Sequence, residues 1–142
     1  MKKEIYSIPG KVVGHHDPVL KAIIDTWTSL FITLEQWKST VYDIGITDYA
    51  PKNGVVAWII DTSKARSSFP PDVQEFREKV AKAKLEDNGV KYLFVVVPEK
   101  GFGRLSAGRT ADLYNDIQGG LQSFEVQTLD EAKAMLRKLM KT

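Results

Sequence analysis

The sequence predicts an α/β domain: a single mixed sheet of about five strands, the first strand pair antiparallel and the later strands parallel, with about four helices packed on it. Three observations lead there. Val55-Val56-Ala57-Trp58-Ile59-Ile60 and Leu93-Phe94-Val95-Val96-Val97 are apolar on both faces and too short for helices, as central strands covered on two sides must be. Segments with apolar residues at helical spacing lie between the strands. The two kinds of segment alternate, and right-handed crossovers then make the later strands parallel. A chain of 142 residues fits one domain over 1–142; a domain of that size buries ~68% of the surface its unfolded chain exposes.

Ile5, Tyr6 and Ile8, ended by Pro9-Gly10, form a short first strand. Val12-Val13 either extends it or begins another before Gly14-His15-His16-Asp17-Pro18, read as a surface loop. Leu20, Ala22, Ile23, Ile24 and Trp27 then mark a strand over 19–27, ending near Asp25-Thr26 and pairing antiparallel with the first. Thr33-Leu34-Glu35-Gln36 has the form of a capping box, and Leu34, Trp37, Val41 and Ile44 follow at helical spacing, so a first helix is expected over about 34–44. Pro51-Lys52-Asn53-Gly54 is turn chemistry leading into the strand at Val55.

Pro70-Pro71-Asp72 starts a second helix with Val73, Phe76, Val80 and Ala83 as its apolar stripe, Glu75/Lys79 and Glu78/Lys82 as surface pairs, and Asn88-Gly89 as its end. A strand follows over 91–97, stopped by Pro98. The glycine-bearing loop at 99–103 leads into a third helix with Leu105, Leu113, Tyr114 and Ile117, closed by Gly119-Gly120. Residues 121–127 supply the last strand. Thr128-Leu129-Asp130-Glu131 caps a final helix whose Ala132, Met135, Leu136 and Leu139 share one face, with Arg137, Lys138 and Lys141 at its negative end.

Twenty Lys plus Arg against eighteen Asp plus Glu leave a net charge of +2, too small a field to select nucleic acid or an anionic membrane. Without cysteine there is no disulfide, thiol nucleophile or thiolate metal site. The opening Met-Lys-Lys-Glu-Ile lacks the apolar run of a signal peptide, and no apolar stretch reaches membrane-spanning length, so a cytoplasmic location is expected.

Two constellations carry chemistry. Asp61, Thr62, Ser63, Ser67 and Ser68 stand where a strand gives way to a helix; the carboxylate can orient a ligand hydroxyl, and Ser67 or Ser68 can carry phosphate stabilised at the helix start. The same residues can equally satisfy loop backbone and cap the helix. Gly101-Phe102-Gly103-Arg104-Leu105-Ser106-Ala107-Gly108-Arg109 offers backbone amides, Ser106 and the guanidinium groups of Arg104 and Arg109 to a phosphate or carboxylate, but its spacing is neither a dinucleotide fingerprint nor a P-loop. His15 and His16 beside Asp17 are the two histidines of the chain. Adjacent residues on an extended chain point to opposite sides, and no third ligand has recognisable spacing, so no metal site is expected. No Gly-x-Ser-x-Gly elbow supports a serine triad, and no catalytic set or cofactor is expected. Trp27, Trp37, Trp58 and Tyr92 either line an apolar pocket or are core, and Phe69 and Phe102 are candidates for an exposed binding surface.

Several strings resemble the bacterial SpoIIAA-like group, which includes the STAS domains and small STAS-like proteins related to the lipid-binding CRAL-TRIO-type fold. They are Ile24-Asp25-Thr26-Trp27 before a capped helix, Trp58-Ile59-Ile60-Asp61-Thr62-Ser63, the stretch from Gly89 to Pro98, and the stretch from Phe124 to Ala132. The resemblance covers the chain from about Leu20 onward and speaks to fold more than to function. It implies binding of a protein partner or small ligand rather than catalysis. In phosphorylatable STAS domains an Asp-Ser-Ser-Gly signature opens the helix after the central strand; here Ser67 and Ser68 match the serines, and the aspartate and glycine are absent.

The function expected is therefore a non-enzymatic, regulatory STAS-like domain that binds a protein or ligand at the rim bearing Asp61, Ser67, Ser68, Arg104 and Arg109, with a homodimer through an edge strand compatible with it. The alternatives are a carrier or sensor of an apolar or acidic small molecule, and a hydrolase or transferase built on Asp61 and the histidines.

Overall fold

The computed structural model describes residues 3–65, 68–97 and 121–141. Among them one six-stranded mixed sheet runs in the order β1 (Lys3–Ile8), β2 (Val12–Asp17), β3 (Ala22–Trp27), β4 (Ala57–Asp61), β5 (Tyr92–Val96) and β6 (Gln122–Val126). The β1–β2 and β2–β3 pairs are antiparallel, and every later pair is parallel. This is the expected α/β architecture with one strand more than about five.

The added strand is β2. Gly14-His15-His16-Asp17 has the composition of a loop, yet it runs extended between β1 and β3, so β3 pairs with β2 and not with β1. The loop comes later: Asp17 Oδ1 accepts from the backbone N–H groups of Val19 (3.1 Å) and Leu20 (3.2 Å), folding the connection into an Asx-type turn. Val19 is accordingly exposed, and β3 starts at Ala22.

Three helices are described. Helix α1 spans 34–52 as an α-helical start at Leu34–Trp37, a π-wound middle at Lys38–Tyr49 and a last turn at Ala50–Lys52. Its capping box is formed on both sides, Thr33 Oγ1 accepting from Gln36 N and Gln36 Oε1 accepting from Thr33 N, each at 3.1 Å. The helix outruns the expected end near Ile44 because Ile46 and Ala50 are also buried and because bonding shifts to the fifth residue back, as from Ala50 N–H to Gly45 O. Pro51 has no N–H to give to the carbonyl five residues back, Ile46 O, which accepts from the Asn88 side chain instead.

Helix α2 spans 71–87 through the segments Pro71–Phe76, Arg77–Ala81 and Lys82–Asp87. The Asn88 side-chain amide that follows donates to Ile46 O at 2.7 Å and ties the end of α2 to α1. Helix α3, Leu129–Lys141, starts with Thr128 Oγ1 accepting from Glu131 N at 3.0 Å. The third helix expected near 105–117 lies outside the described residues.

Side-chain alternation divides the core in two. Tyr6, Ile23, Trp27, Trp58, Leu93 and Val95 face α1 and α2, while Ala22, Ile24, Ile59, Phe94 and Val96 face the other way, where α3 buries Ala132 and Leu136. β4 is buried at all of its positions because both layers reach it. This is why its sequence shows no polar face.

Candidate functional site at the carboxyl edge of the sheet

β4 and β5 lie side by side in parallel, Asp61 opposite Val96, so their carboxyl ends share one edge. At that edge Asp61 is buried, and its Oδ1 accepts from Ser63 N (3.0 Å) and Ser63 Oγ (2.6 Å). Thr62 Oγ1 donates to Val96 O at 2.7 Å. The polar strand end thus closes its own turn. Ser68 is half-buried ahead of Phe69, whereas Ser67, Arg104, Ser106 and Arg109 lie outside the described residues, as does Phe102.

The aromatic candidates separate. Phe69 is buried, edge-on to Trp27 with ring centroids 5.0 Å apart and under the Arg77 guanidinium at 4.2 Å. Trp27, Trp37 and Trp58 belong to the core beneath α1 and α2, and Tyr92 packs on the opposite face. They do not line a common chamber. Between the helices and the sheet, Trp37 and Trp58 border a cavity of about 20 Å³ with Asp25, Val41, Ala81 and Leu85, far below the ~300 Å³ of a small-ligand site.

The histidines stand on a strand and not in a loop, a correction that also fixes their directions. His15 pairs with Glu4 and Ile24 and faces the α3 side, while His16 turns to α1 and lies with its Nδ1 2.6 Å from Tyr49 Oη. Partial burial lowers the His16 pKa below its ordinary value, partly offset by Asp17. Among the described residues no three His, Asp or Glu side chains gather as a metal cage, and neither histidine is hydrogen-bonded to a serine or carboxylate.

Two features escaped sequence reading. The first is the exposed Phe31, with 69% of its surface open to solvent. Leu30 and Ile32 are both buried, so the extended chain after β3 turns the residue between them outward; this alternation is the signal that could have revealed it. Phe31 borders an open groove of about 490 Å³ along with Ile32, Leu34 and Gln36, just before and within the first turn of α1, and Pro70 and Asp72, at the cap and first turn of α2. Lys11, in the β1–β2 turn, holds its ammonium 5.6 Å from the Phe31 ring centre and supplies a cationic wall.

The second feature is a buried carboxylate. Asp25 is 2% exposed; Tyr6 Oη donates to its Oδ1, and Trp58 Nε1 donates to Oδ2 at 2.9 Å. Tyr6 reaches it from β1 by crossing β2 at Gly14, where a Cβ would sit 2.4 Å from the ring. Gly45 of α1 leaves the same room above: a Cβ there would lie 2.9 Å from Tyr6 and 3.0 Å from Trp58. Burial raises the Asp25 pKa to about 6, against the opposing pull of its two donors and of the Arg77 charge, and burial together with the Asp25 charge raises that of Tyr6 well above its ordinary value.

No protein-family model, curated protein or solved structure matches the chain.

Proposed function

We propose that this chain is a non-enzymatic, STAS-like regulatory domain of the cytoplasm that binds a protein partner through the groove at Phe31. The occupant is an extended protein segment that places an apolar side chain against Phe31 and Leu34 and a carboxylate beside Lys11. The observation that carries this reading is a large aromatic ring held out at the carboxyl edge beside a cation, while Trp27, Trp37 and Trp58 are packed in the core. The order of strands and helices from β3 onward supports the STAS-like part of the reading. Among the described residues no helix is long and apolar enough to cross a membrane.

A display library of random peptides selected on the full chain tests the reading. Enriched peptides carrying an apolar residue near a carboxylate, whose binding falls at least about tenfold in Phe31→Ala and in Lys11→Glu, support it. Peptides that bind wild type and Phe31→Ala equally overturn it. So does sedimentation showing that a second copy of the chain occupies the groove, with dissociation on Phe31→Ala.

A further inference from the structure

The buried carboxylate on β3 lies outside the groove and adjoins the small cavity beneath the helices. Each element around Asp25 presents a different group to it. From β1 comes the Tyr6 hydroxyl, from β4 the neutral Trp58 indole, and from α2 the positive charge of Arg77. β2 presents Gly14, with His16 further along the same face and engaged with Tyr49, while α1 and β5 bring apolar Trp37, Val41 and Leu93.

We propose that Asp25 is a proton-dependent switch of interior hydration: protonated, it rests in a dry core, and ionised, it draws water into the adjoining cavity and loosens α1 and α2 over it. Two geometric facts carry this. An ionised carboxylate has about four acceptor sites, and Asp25 has two described donors, one on each oxygen. The cavity that touches it, about 20 Å³, has room for a single water. The two protons of such a water find the free acceptor sites of the charged carboxylate, whereas a protonated Asp25 offers fewer and the remaining walls are largely apolar, so ionisation favours the water's entry. The direction follows from burial: hydration favours the charged form, so raising the pH through about 6 drives opening and lowering it drives closure.

Nuclear magnetic resonance and amide exchange of the full chain between pH 5 and 7.5, corrected for intrinsic exchange, test the switch. The Trp58 indole proton is expected to shift with a midpoint near 6, and protection at Ala81 and Leu85 to fall about tenfold further as the pH rises than protection at Ala132 and Leu136 on α3, which follows only the global loss of stability. Asp25→Asn, whose carbonyl can accept from Trp58 and whose amide can donate to Tyr6, removes both responses. An unchanging wild-type spectrum overturns the proposal, as does a response that survives in Asp25→Asn, which assigns it to His16. Should that variant not fold, Val41→Ile fills the cavity; a diminished response supports the switch and an undiminished one overturns it.

Discussion

At the scale of single residues, Asp25 makes one contribution to the pH dependence of stability, opposed by that of His16, whose pKa is lowered. The Asp25 pKa is raised by burial to about 6 from an ordinary 3.8, so the folded state holds its proton more tightly than the unfolded state does. The resulting contribution is fully present below pH 3.8 and is lost as the pH rises through about 6, for a total of about 3 kcal/mol. Urea titrations at pH 4.5 and 7.5 are expected to show a wild-type loss in this sense that Asp25→Asn does not share. Trp58→Phe removes the donor to Oδ2 and strands that oxygen in the core, with an expected loss of about 1–3 kcal/mol measured the same way at pH 7.5. Phe31 has the opposite character. Being largely exposed, it is expected to change stability by less than about 0.5 kcal/mol when cut to alanine, in thermal unfolding, while weakening the proposed peptide binding at least about tenfold.

At the scale of elements, Gly14 and Gly45 clear the path of one tyrosine ring. Gly14→Ala puts a methyl group into that ring from below and Gly45→Ala from above, against Trp58 as well. Each is expected to cost about 1–3 kcal/mol in denaturant unfolding, and combining Gly14→Ala with Tyr6→Ala is expected to recover part of the loss, because the clash disappears with the ring. This packing also explains what was legible beforehand. β4, β5 and α3 announced themselves through runs and a stripe that burial alone dictates, whereas α2 was found as a helix with the wrong face turned inward: Val80 and Ala83 of the expected stripe are exposed, and Ala81 and Leu85 are buried in their place on a helix with a π-wound middle. β2 was half legible: Val12-Val13 left a second strand open, but its glycine serves a contact with a residue eight positions earlier and its His-His-Asp string mimics a turn. The end of α1 was hidden for a related reason: its last buried residues sit on a π-wound spiral whose spacing differs from 3.6.

At the scale of the whole molecule, the parallel arrangement of β4 and β5 and their shared carboxyl edge were readable from two apolar runs and the helix between them. The residues that make the edge a binding candidate were not. Asp61 and Ser63 are bonded to one another, whereas Phe31 and Lys11 meet only because the β1–β2 turn and the chain after β3 arrive at the same edge, a pairing that depends on a strand the sequence left open. The two core layers share the sheet and are expected to unfold together. Leu136→Ala on α3, fully buried on the far side from the groove, is expected to cost about 2–5 kcal/mol and to lower the unfolding midpoint equally by far-ultraviolet circular dichroism and by tryptophan fluorescence, which reports the opposite layer.

The ring that spans a neighbouring strand also imposes a sequence of events on folding. Tyr6 can engage Asp25 in its native place only when the strand between them is already seated under it, so the first two strands must close on each other before or as they join the third. The clasp is then made late, and Tyr6→Phe is expected to accelerate unfolding far more than it slows refolding in stopped-flow traces. A latch of this kind resists peeling from the end of the chain: the terminal ribbon leaves as a pair or stays.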